Sequence, residues 1–531
     1  MTKSATAKHP KGLYVLFFTE MWERFGYYLM LGIFSLYMID AWENGGMGFS
    51  NLQKSDIYGT YIGLVYLTPF IGGLLADRIL GYRKSIFAGG LLMAAGYLGL
   101  SIHDTTAFYI SLLLIILGNG MFKPNISTLV GNLYNNEQYR DNKDAGFNIF
   151  YMGINVGAFV CNFVAAYMRI NYGWSHAFAA AGIGMLIGLV VFAAGTRHVR
   201  DADVIKPAQP GDMSVGKILL TVLVPMFAFG VLGYLIPGNL LGTDTNDAFI
   251  FGCIPVVAFF IYLYLKANAE DKRPIGALLA VYGCIVIFWA VFHQNGDALT
   301  IWAENYTDRT MPAAIASVAD DAGMAQTVTN AGALTDSKSA AYFSNLSPGE
   351  IPPQGSSLKL YSTELYQSIN PFWVVLLTPI LVGFWGFMRQ RGKEPSTPAK
   401  ITLGLLITAL SALVMVGAVF ATNNLESKAS GLWLFAAYGV ITVGELCLSP
   451  MGLSLVSKLS PPRLTALMMG GFFLSTSVGN KLSGMLSGLW DGFDNKASFF
   501  LMNFGLVLAA ALMLFLMLPW LRAVMREKNI H

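Results

Sequence analysis

Charge is scarce in this chain. Only 12% of its 531 residues are Asp, Glu, Lys or Arg, about half the share of an ordinary soluble domain, which is about 25%. That scarcity excludes a soluble enzyme, a disordered chain and a nucleic-acid binder, and a net charge of +3 is too small for a phosphate-binding surface. Cysteine is scarce too. Cys161, Cys253, Cys284 and Cys447 lie far apart in apolar segments. No CxxC or Cys/His spacing suggests zinc or redox chemistry, so they read as small core residues. No cofactor, metal or catalytic constellation stands out, and the chain is read as not an enzyme. What is abundant is apolar surface: 55% of residues are hydrophobic and the mean hydropathy is +0.54. Uncharged apolar runs of about 20 residues recur, each long enough to cross a bilayer as a helix. The reading is an all-α, polytopic membrane protein, for which length does not count domains.

Lys3, Lys8 and Lys11 precede an apolar stretch, as in a signal peptide. The stretch runs from about Leu13 to Ile39, too long for a signal's apolar core, and carries Glu20, Glu23 and Arg24. It is read as a retained first transmembrane helix. Further helices are expected near 54–76, 85–103, 107–133, 146–168, 176–195, 215–236, 248–266, 275–302, 363–388, 401–422, 430–456, 464–489 and 498–521, fourteen in all with the first near 13–40. With the N-terminus inside, most of the 34 Lys and Arg fall on the inner side, as the positive-inside rule requires. The inner loops include Arg78 to Lys84, Arg389 to Lys400 and Arg522 to Lys528. Both termini are then cytoplasmic, in a cytoplasmic (inner) membrane with lipid as the surround. The segment 303–362 is polar and poor in large apolar side chains, and is expected as a long external loop, functional or flexible. The sequons at Asn305 and Asn345 carry no weight.

Short motifs recur in order. Leu67-Thr68-Pro69 is matched by Leu377-Thr378-Pro379, Gly118 to Lys123-Pro124 by Gly444 to Ser449-Pro450, and Phe150-Tyr151 to Gly157 by Phe472-Phe473 to Gly479. The offsets are roughly constant. This suggests two parallel six-helix halves, 1–200 and 273–531, with an inserted helix pair in 201–272. Parallel halves around a site near the bilayer midplane are the major-facilitator arrangement.

Ionisable side chains inside membrane helices are costly and usually face a bundle interior or a wet cavity. Glu20, Glu23, Arg24, Tyr27 and Leu31 share one helical face. Glu20 and Arg24 are i,i+4 partners, either a structural ion pair or a proton-responsive pair lining a pathway. Lys123 sits mid-helix and needs a partner, with the helix-one carboxylates as candidates; the alternative is a snorkelling lysine. Glu445 lies deep in the second half with no nearby basic residue in its own helix. Cations on one side and a carboxylate on the other suit a zwitterion. Tyr27, Tyr28, Tyr66, Trp289 and Phe472 can wall such a site or simply pack helices. His293 is either a packing residue or one titrating near physiological pH. Lys481 lies near a helix centre with no assignable partner. The segment Asp77-Arg78 to Gly81-Tyr82-Arg83 reads as a cytoplasmic gate or brace.

These residues resemble the signatures of the proton-dependent oligopeptide transporters. Glu20-x-x-Glu23-Arg24-Phe25-x-Tyr27-Tyr28 is similar to the family's helix-one motif. So are Phe150-Tyr151-x-x-Ile154-Asn155-x-Gly157, Lys123-Pro124, Asn370-Pro371 and Gly444-Glu445-x-x-x-Ser449-Pro450 to its other motifs. Gly72-Gly73-x-x-Ala76-Asp77-Arg78-x-x-Gly81-x-Arg83 resembles the family's form of the major-facilitator loop. The inserted helix pair resembles the bacterial branch. The resemblance implies proton-coupled import of di- and tripeptides by alternating access. It implies that Glu20, Glu23 and Arg24 form the proton-coupling motif with Lys123 salt-bridged to it at some stage; His293, where the chain leaves the family pattern, and Glu445 are further candidate proton sites on their own chemistry. It also implies that Arg24 and Lys123 attract the peptide carboxylate, that Asn155, Asn370 and Glu445 hold the amino end with Ser449 nearby, and that Tyr28, Tyr66 and Trp289 line side-chain pockets. No obligate protein partner is implied. A relative carrying nitrate or a peptide-like metabolite is the alternative, and a non-transporting sensor or channel fits the motifs poorly. Three positions depart from the family pattern: Leu31 where a second arginine is frequent, His293 where an acid is frequent, and Phe472 where tryptophan is common.

Overall fold

In hydrocarbon no water can satisfy a free amide or carbonyl, so long apolar stretches must close their hydrogen bonds internally as helices. Helices cover each of the fourteen expected segments in whole or in part in the computed structural model, which describes residues 9–139, 142–204, 215–346, 349–461 and 464–528. The helices are α1 Lys11–Ile39, α2 Asn51–Leu75, α3 Tyr82–Leu100, α4 Thr105–Leu133, α5 Lys143–Tyr172 and α6 Trp174–Gly195. There follow α7 Val215–Ile218, a five-residue π turn, α8 Val224–Tyr234, α9 Asp244–Lys266, α10 Ala269–Phe292 and α11 Ala298–Asn305. After two short helices, α12 Ala313–Asp321 and α13 Ser337–Phe343, come α14 Ile369–Gln390, α15 Thr397–Ala421, α16 Gly431–Leu459, α17 Thr465–Gly488 and α18 Lys496–Glu527. Among the described residues, nine helical segments are long and apolar enough to cross a membrane on length and hydropathy alone. The helix-one stretch is not among them: it carries Glu20, Glu23 and Arg24 close together. Large apolar side chains such as Val190, Leu220, Phe227, Phe420 and Leu516 are well exposed, an outer surface suited to lipid rather than to water.

The chain divides into two compact units, one of residues 1–48 and 64–218, the other of 49–63 and 219–531. In the first, α3 packs on α4 and α6, and α1 on α5 and α6. Glycine makes this packing possible. A side chain on Gly89 would meet the Gly118 carbonyl and one on Gly118 the backbone of Met93. Gly81 adopts a positive φ of 80° at the end of a π turn, Ala76–Leu80. Asp203 accepts there from the backbone amides of Tyr82 (2.7 Å) and Arg83 (3.3 Å), and Arg83 Nε donates to Thr196 Oγ1 at 2.9 Å. The loop read as a gate or brace is thus tied to the segment after α6; the side chains of Asp77 and Arg78 lie outside the described ones.

In the second unit, α15 packs on α16 and α18, α10 on α17 and α18, α14 on α16, and α8 on α9. Gly404 and Gly444 repeat the Gly89–Gly118 device, a side chain on either one meeting the other's carbonyl at 2.8 Å. Two expectations need correction. The helix expected over 275–302 is broken. α10 stops at Phe292, a 3-10 turn spans His293–Gly296, and α11 resumes at Ala298. The break is stabilised because the Asn295 carbonyl, freed from a helical partner, accepts from Thr300 Oγ1 (2.9 Å) and Gln367 Nε2 (2.8 Å). The segment 303–362 is also more than a polar loop. Strands β2 (Gln326–Thr329) and β3 (Ser357–Leu360) pair antiparallel, and Val328, Tyr342, Phe343 and Leu360 form a small apolar core. Arg309 is buried beside it, donating to Gln326 Oε1 and the Tyr361 carbonyl, both at 2.9 Å. A parallel pairing of β1 (Thr307–Asp308) with β4 (Ala429–Ser430) ties this module to the start of α16. Here Lys428 donates to the Asn305 carbonyl at 2.6 Å and lies 4.2 Å from the Tyr342 ring centroid. Burial, with Arg309 nearby, holds its ammonium down at about 8.

Candidate functional site

The first unit gathers the charges of helix one. Glu20, Glu23 and Arg24 are all buried. Arg24 pairs by Nε with Glu23 and donates through a terminal nitrogen to Glu23 Oε1 at 2.5 Å. Glu20 Oε1 stands 3.6 Å from Arg24 Nε, and Glu20 Oε2 has no hydrogen-bond partner among the described residues. The adjacent carboxylate, not the i,i+4 one, is therefore the close partner of the arginine. From α4, Asn119 accepts from Arg24 at 3.4 Å, while its own amide donates to the Val65 carbonyl at 2.9 Å. The guanidinium carbon lies 4.7 Å from the Tyr27 ring and 5.8 Å from that of Tyr28, cation–π distances. Lys123, one turn after Asn119 on α4, places its ammonium 4.3 Å from the centre of the Tyr66 ring. No ion pair joins it to Glu20 or Glu23 among the described residues. Pro124 beside it is inside the helix, where it removes one backbone hydrogen bond. Asn155 is buried on α5, its amide donating to the Tyr151 carbonyl of the preceding turn at 2.9 Å.

The second unit places Glu445 on α16, half-buried. Asn370, the second residue of α14, donates its amide to Glu445 Oε2 at 3.1 Å and to Thr442 Oγ1 at 2.8 Å. No basic side chain pairs with Glu445 among the described residues. Ser449, one turn on, has a hydroxyl without a partner among the described residues. On α10, Trp289 is buried and its indole N–H has no acceptor among them. Gly479 lets α17 approach here: a side chain on it would meet Trp289 Cβ at 2.6 Å. Phe472 on α17 meets the Tyr282 ring edge-on at 6.3 Å. His293 stands at the end of α10, its ring 5.0 Å from that of Trp289.

A third group, also in the second unit, was not anticipated from the sequence. The first half of α2 presents Lys54 and Asp56 two positions apart. Lys54 pairs with Asp297 in the break between α10 and α11, and both are buried. Asp56 pairs with Lys481 of α17 at 2.6 Å, and Lys481 also contacts Thr60 Oγ1 at 2.6 Å. The lysine left without a partner in the sequence reading thus has one, 425 residues away. Tyr58, two positions after Asp56, donates to the His293 carbonyl at 3.2 Å. Lys54 and Asp56 are two positions apart and opposite in charge, so each pair also fixes the register of α2 against its neighbours. The only local sign of these roles was charge near a helix start, which looks like ordinary loop polarity.

The sequence profile of the POT family matches residues 83–319 and 359–507, most of the chain. The chain belongs to the POT family. It is a multi-pass membrane transporter by that membership. Among curated relatives, an uncharacterized transporter of Bacillus subtilis, YclF, is 32% identical over 490 residues, 91% of this chain and 88% of the relative. A di-/tripeptide transporter of Lactococcus lactis is 31% identical over 494 residues, covering 91% and 90%. Among solved structures, the crystal structure of a peptide transporter POT, a mutant form in complex with sulfate, is similar with a TM-score of 0.79. That comparison spans 98% of this chain and 97% of the other at 31% identity. The expected major-facilitator fold, with its inserted helix pair, is therefore the POT fold.

Proposed function

We propose that this POT protein imports di- and tripeptides together with protons across a cytoplasmic membrane, with both termini in the cytoplasm, by alternating access. One observation carries the substrate reading: Glu445 accepts from Asn370, itself held by Thr442, yet has no cationic partner among the described residues. Leaving even a half-buried carboxylate uncompensated is costly, and a peptide's ammonium group supplies the missing charge. The carboxylate end falls to Arg24 and Lys123, with Asn155 and Ser449 as further polar contacts. Tyr28, Tyr66 and Trp289 receive side chains, and the indole N–H of Trp289, without an acceptor among the described residues, adds a donor for a peptide carbonyl. The di-/tripeptide transporter among the relatives supports the same class of substrate.

Proton handling falls to Glu20, Glu23, Arg24, Lys123, His293 and Glu445. Arg24 already has Glu23, so Glu20, with one oxygen lacking a partner among the described residues, is the carboxylate that takes a proton or pairs with Lys123 during the cycle. The driving force is adequate. An inward proton releases about 2.3 kcal/mol per 100 mV and about 1.4 kcal/mol per pH unit. Together these support roughly several-hundred-fold accumulation. Its lipid surround, peptides and protons complete the partners of this reading, which needs no cofactor and no bond-breaking chemistry.

The test is uptake of a labelled alanyl dipeptide into proteoliposomes with and without an inward proton gradient. Gradient-dependent uptake is expected, reduced by at least tenfold in Glu445→Gln, with an N-acetylated dipeptide competing poorly. Uptake of no di- or tripeptide under the gradient would overturn the reading, and equal competition by the acetylated peptide would remove the ammonium from Glu445.

A further inference from the structure

The hairpin of α8 and α9 lies outside the two six-helix halves, and neither the sequence motifs nor the family resemblance gives it a task. Its internal construction is firm. Asp247, fully buried near the start of α9, accepts from the backbone amides of Leu240 (2.8 Å) and Leu241 (2.9 Å). Asn246 donates its amide to the Leu241 carbonyl at 2.8 Å. Gly233 and Gly252 let the two helices touch: a side chain on Gly233 would meet the Asp247 carbonyl, and one on Gly252 the carbonyl of Met226. The start of α9 is therefore held in one place, and Thr243 caps it by accepting from the Asn246 amide at 3.2 Å.

From this fixed start the hairpin reaches out to the charged end of α2. Thr245 Oγ1 donates to Asp56 Oδ2 at 2.5 Å, while Asp56 Oδ1 receives the Lys481 ammonium at 2.6 Å. A carboxylate only accepts, so the Thr245 proton is committed to Asp56. Thr243 Oγ1, 3.2 Å from Thr245 Oγ1, must then donate to it. One turn along α9, Phe249 lies against Gly63 of α2, where a side chain would approach its ring to 3.1 Å. Between helices that share an apolar surround there is no hydrophobic gain from association. Packing and interhelical hydrogen bonds decide it. A hydroxyl directed at a carboxylate supplies such a bond, and Phe249 against Gly63 supplies the packing.

We infer that the α8–α9 hairpin is a latch on the charged end of α2, with Thr245 as the positioning residue of the Asp56–Lys481 pair. The inference deepens the transport reading above and rests on it for its role in the cycle. Residues 51–63 group with the second unit while the rest of α2 groups with the first. Any step that moves α2 as one rod away from the second unit must break both Thr245–Asp56 and Phe249–Gly63. A contact made in one state and lost in the other shifts the balance toward the state that keeps it. The latch therefore stabilises the conformation described here against the one in which this end of α2 is released.

The experiment uses the full chain with Ser55→Cys as reporter. Ser55 is buried on α2, and its hydroxyl has no partner among the described residues, so the substitution is mild. Labelling by a membrane-impermeant maleimide, measured without peptide, reads the release of this end of α2. In this background Thr245→Val, which keeps the shape and loses the hydroxyl, is expected to label roughly tenfold faster, the scale of one hydrogen bond to a charged group. Thr245→Ser is expected to keep the parent rate, and Asp56→Asn to label faster like Thr245→Val. An unchanged rate in Thr245→Val, a Thr245→Ser rate as fast as that of Thr245→Val, or an equal rise in labelling of the buried Cys284 would overturn the latch. Dipeptide uptake by the parent is measured in parallel. Failure of that uptake removes the transport reading, while the labelling rates still decide whether the hairpin holds α2.

Discussion

The two ends of α2 are held by different chemistry. The first half, residues 51–63, carries Lys54 and Asp56 and is fixed in the second unit by their ion pairs to Asp297 and Lys481. The second half, from Leu64 to Leu75, carries no charge and is fixed in the first unit by close backbone contact. A side chain on Gly72 would collide with the Gly120 carbonyl, and Thr68 Oγ1 donates to the Ile116 carbonyl at 2.9 Å. Ion pairs can be exchanged for water when a helix end is exposed. A glycine contact that admits no side chain has no such alternative. The difference teaches which end of a shared helix is free to change partners and which is permanent.

The sharpest way to break this comparison is at the permanent end. Gly72→Leu has no room beside Gly120, and overpacking against backbone is expected to cost about 4 kcal/mol or more. It should abolish the yield of monodisperse protein in detergent; a Gly72→Leu protein as heat-resistant as the parent would show that α2 is not clamped there. Next come the exchangeable charges. Lys54→Met leaves Asp297 buried and unpaired, a loss of about 3–5 kcal/mol. Lys54→Met/Asp297→Leu should recover most of it, read as the midpoint of thermal aggregation. If the double variant is no better than the single, the pair is not what holds this end.

A smaller effect is expected at the second pair, because Asp56 is partly exposed and Thr60 remains beside Lys481. Asp56→Asn should lower the midpoint less than Lys54→Met, and reversing the pair as Asp56→Lys/Lys481→Asp should restore part of the loss of Asp56→Lys alone. Equal damage in the reversed pair would mean that register, not charge, governs the contact.

The smallest effect belongs to an ion pair at the edge of the helices, between α14 and α15. Arg389 Nε meets Glu394 Oε2 and Lys400 Nζ meets Glu394 Oε1, both at 2.6 Å. Their hydrogen bonds, that of Arg389 first, hold the Glu394 carboxyl at about 2, below its ordinary 4.5. Because the folded value is the lower one, its stabilisation is complete above the ordinary value and is lost only as pH falls through about 2. Glu394→Gln should therefore cost under about 1 kcal/mol, by the same amount at pH 5.5 and 7.5. A cost that changes between those two pH values would contradict the assigned partners.

Much of the molecule was legible because it is written locally. Helix positions follow from apolar length, and the repeated Gly118 and Gly444 each mark a close helix approach, to Gly89 and to Gly404. Thr68 and Thr378 both bring their hydroxyl within hydrogen-bond distance of the carbonyl four residues back, Thr68 sharing its proton with the Ile116 carbonyl, so even the short Leu-Thr-Pro repeat marks one local geometry used twice. Glu20, Glu23 and Arg24 stood out because charge inside an apolar helix is conspicuous. Lys54, Asp56 and Asp297 did not, since charge near a helix end is the ordinary state of a loop.

The sequence by itself thus determined the lipid-facing helices, the family and the charged face of helix one, because each depends on residues within a few turns of one another. Tertiary structure alone decided that Glu23 rather than Glu20 takes Arg24, that α10 breaks at His293, and that residues 303–362 hold a small core of their own. It alone gave Lys481 to Asp56 and Lys54 to Asp297. A buried charge announces that it needs a partner, but nothing in its own helix says which distant helix will bring one within reach, and that is settled only when the helices pack.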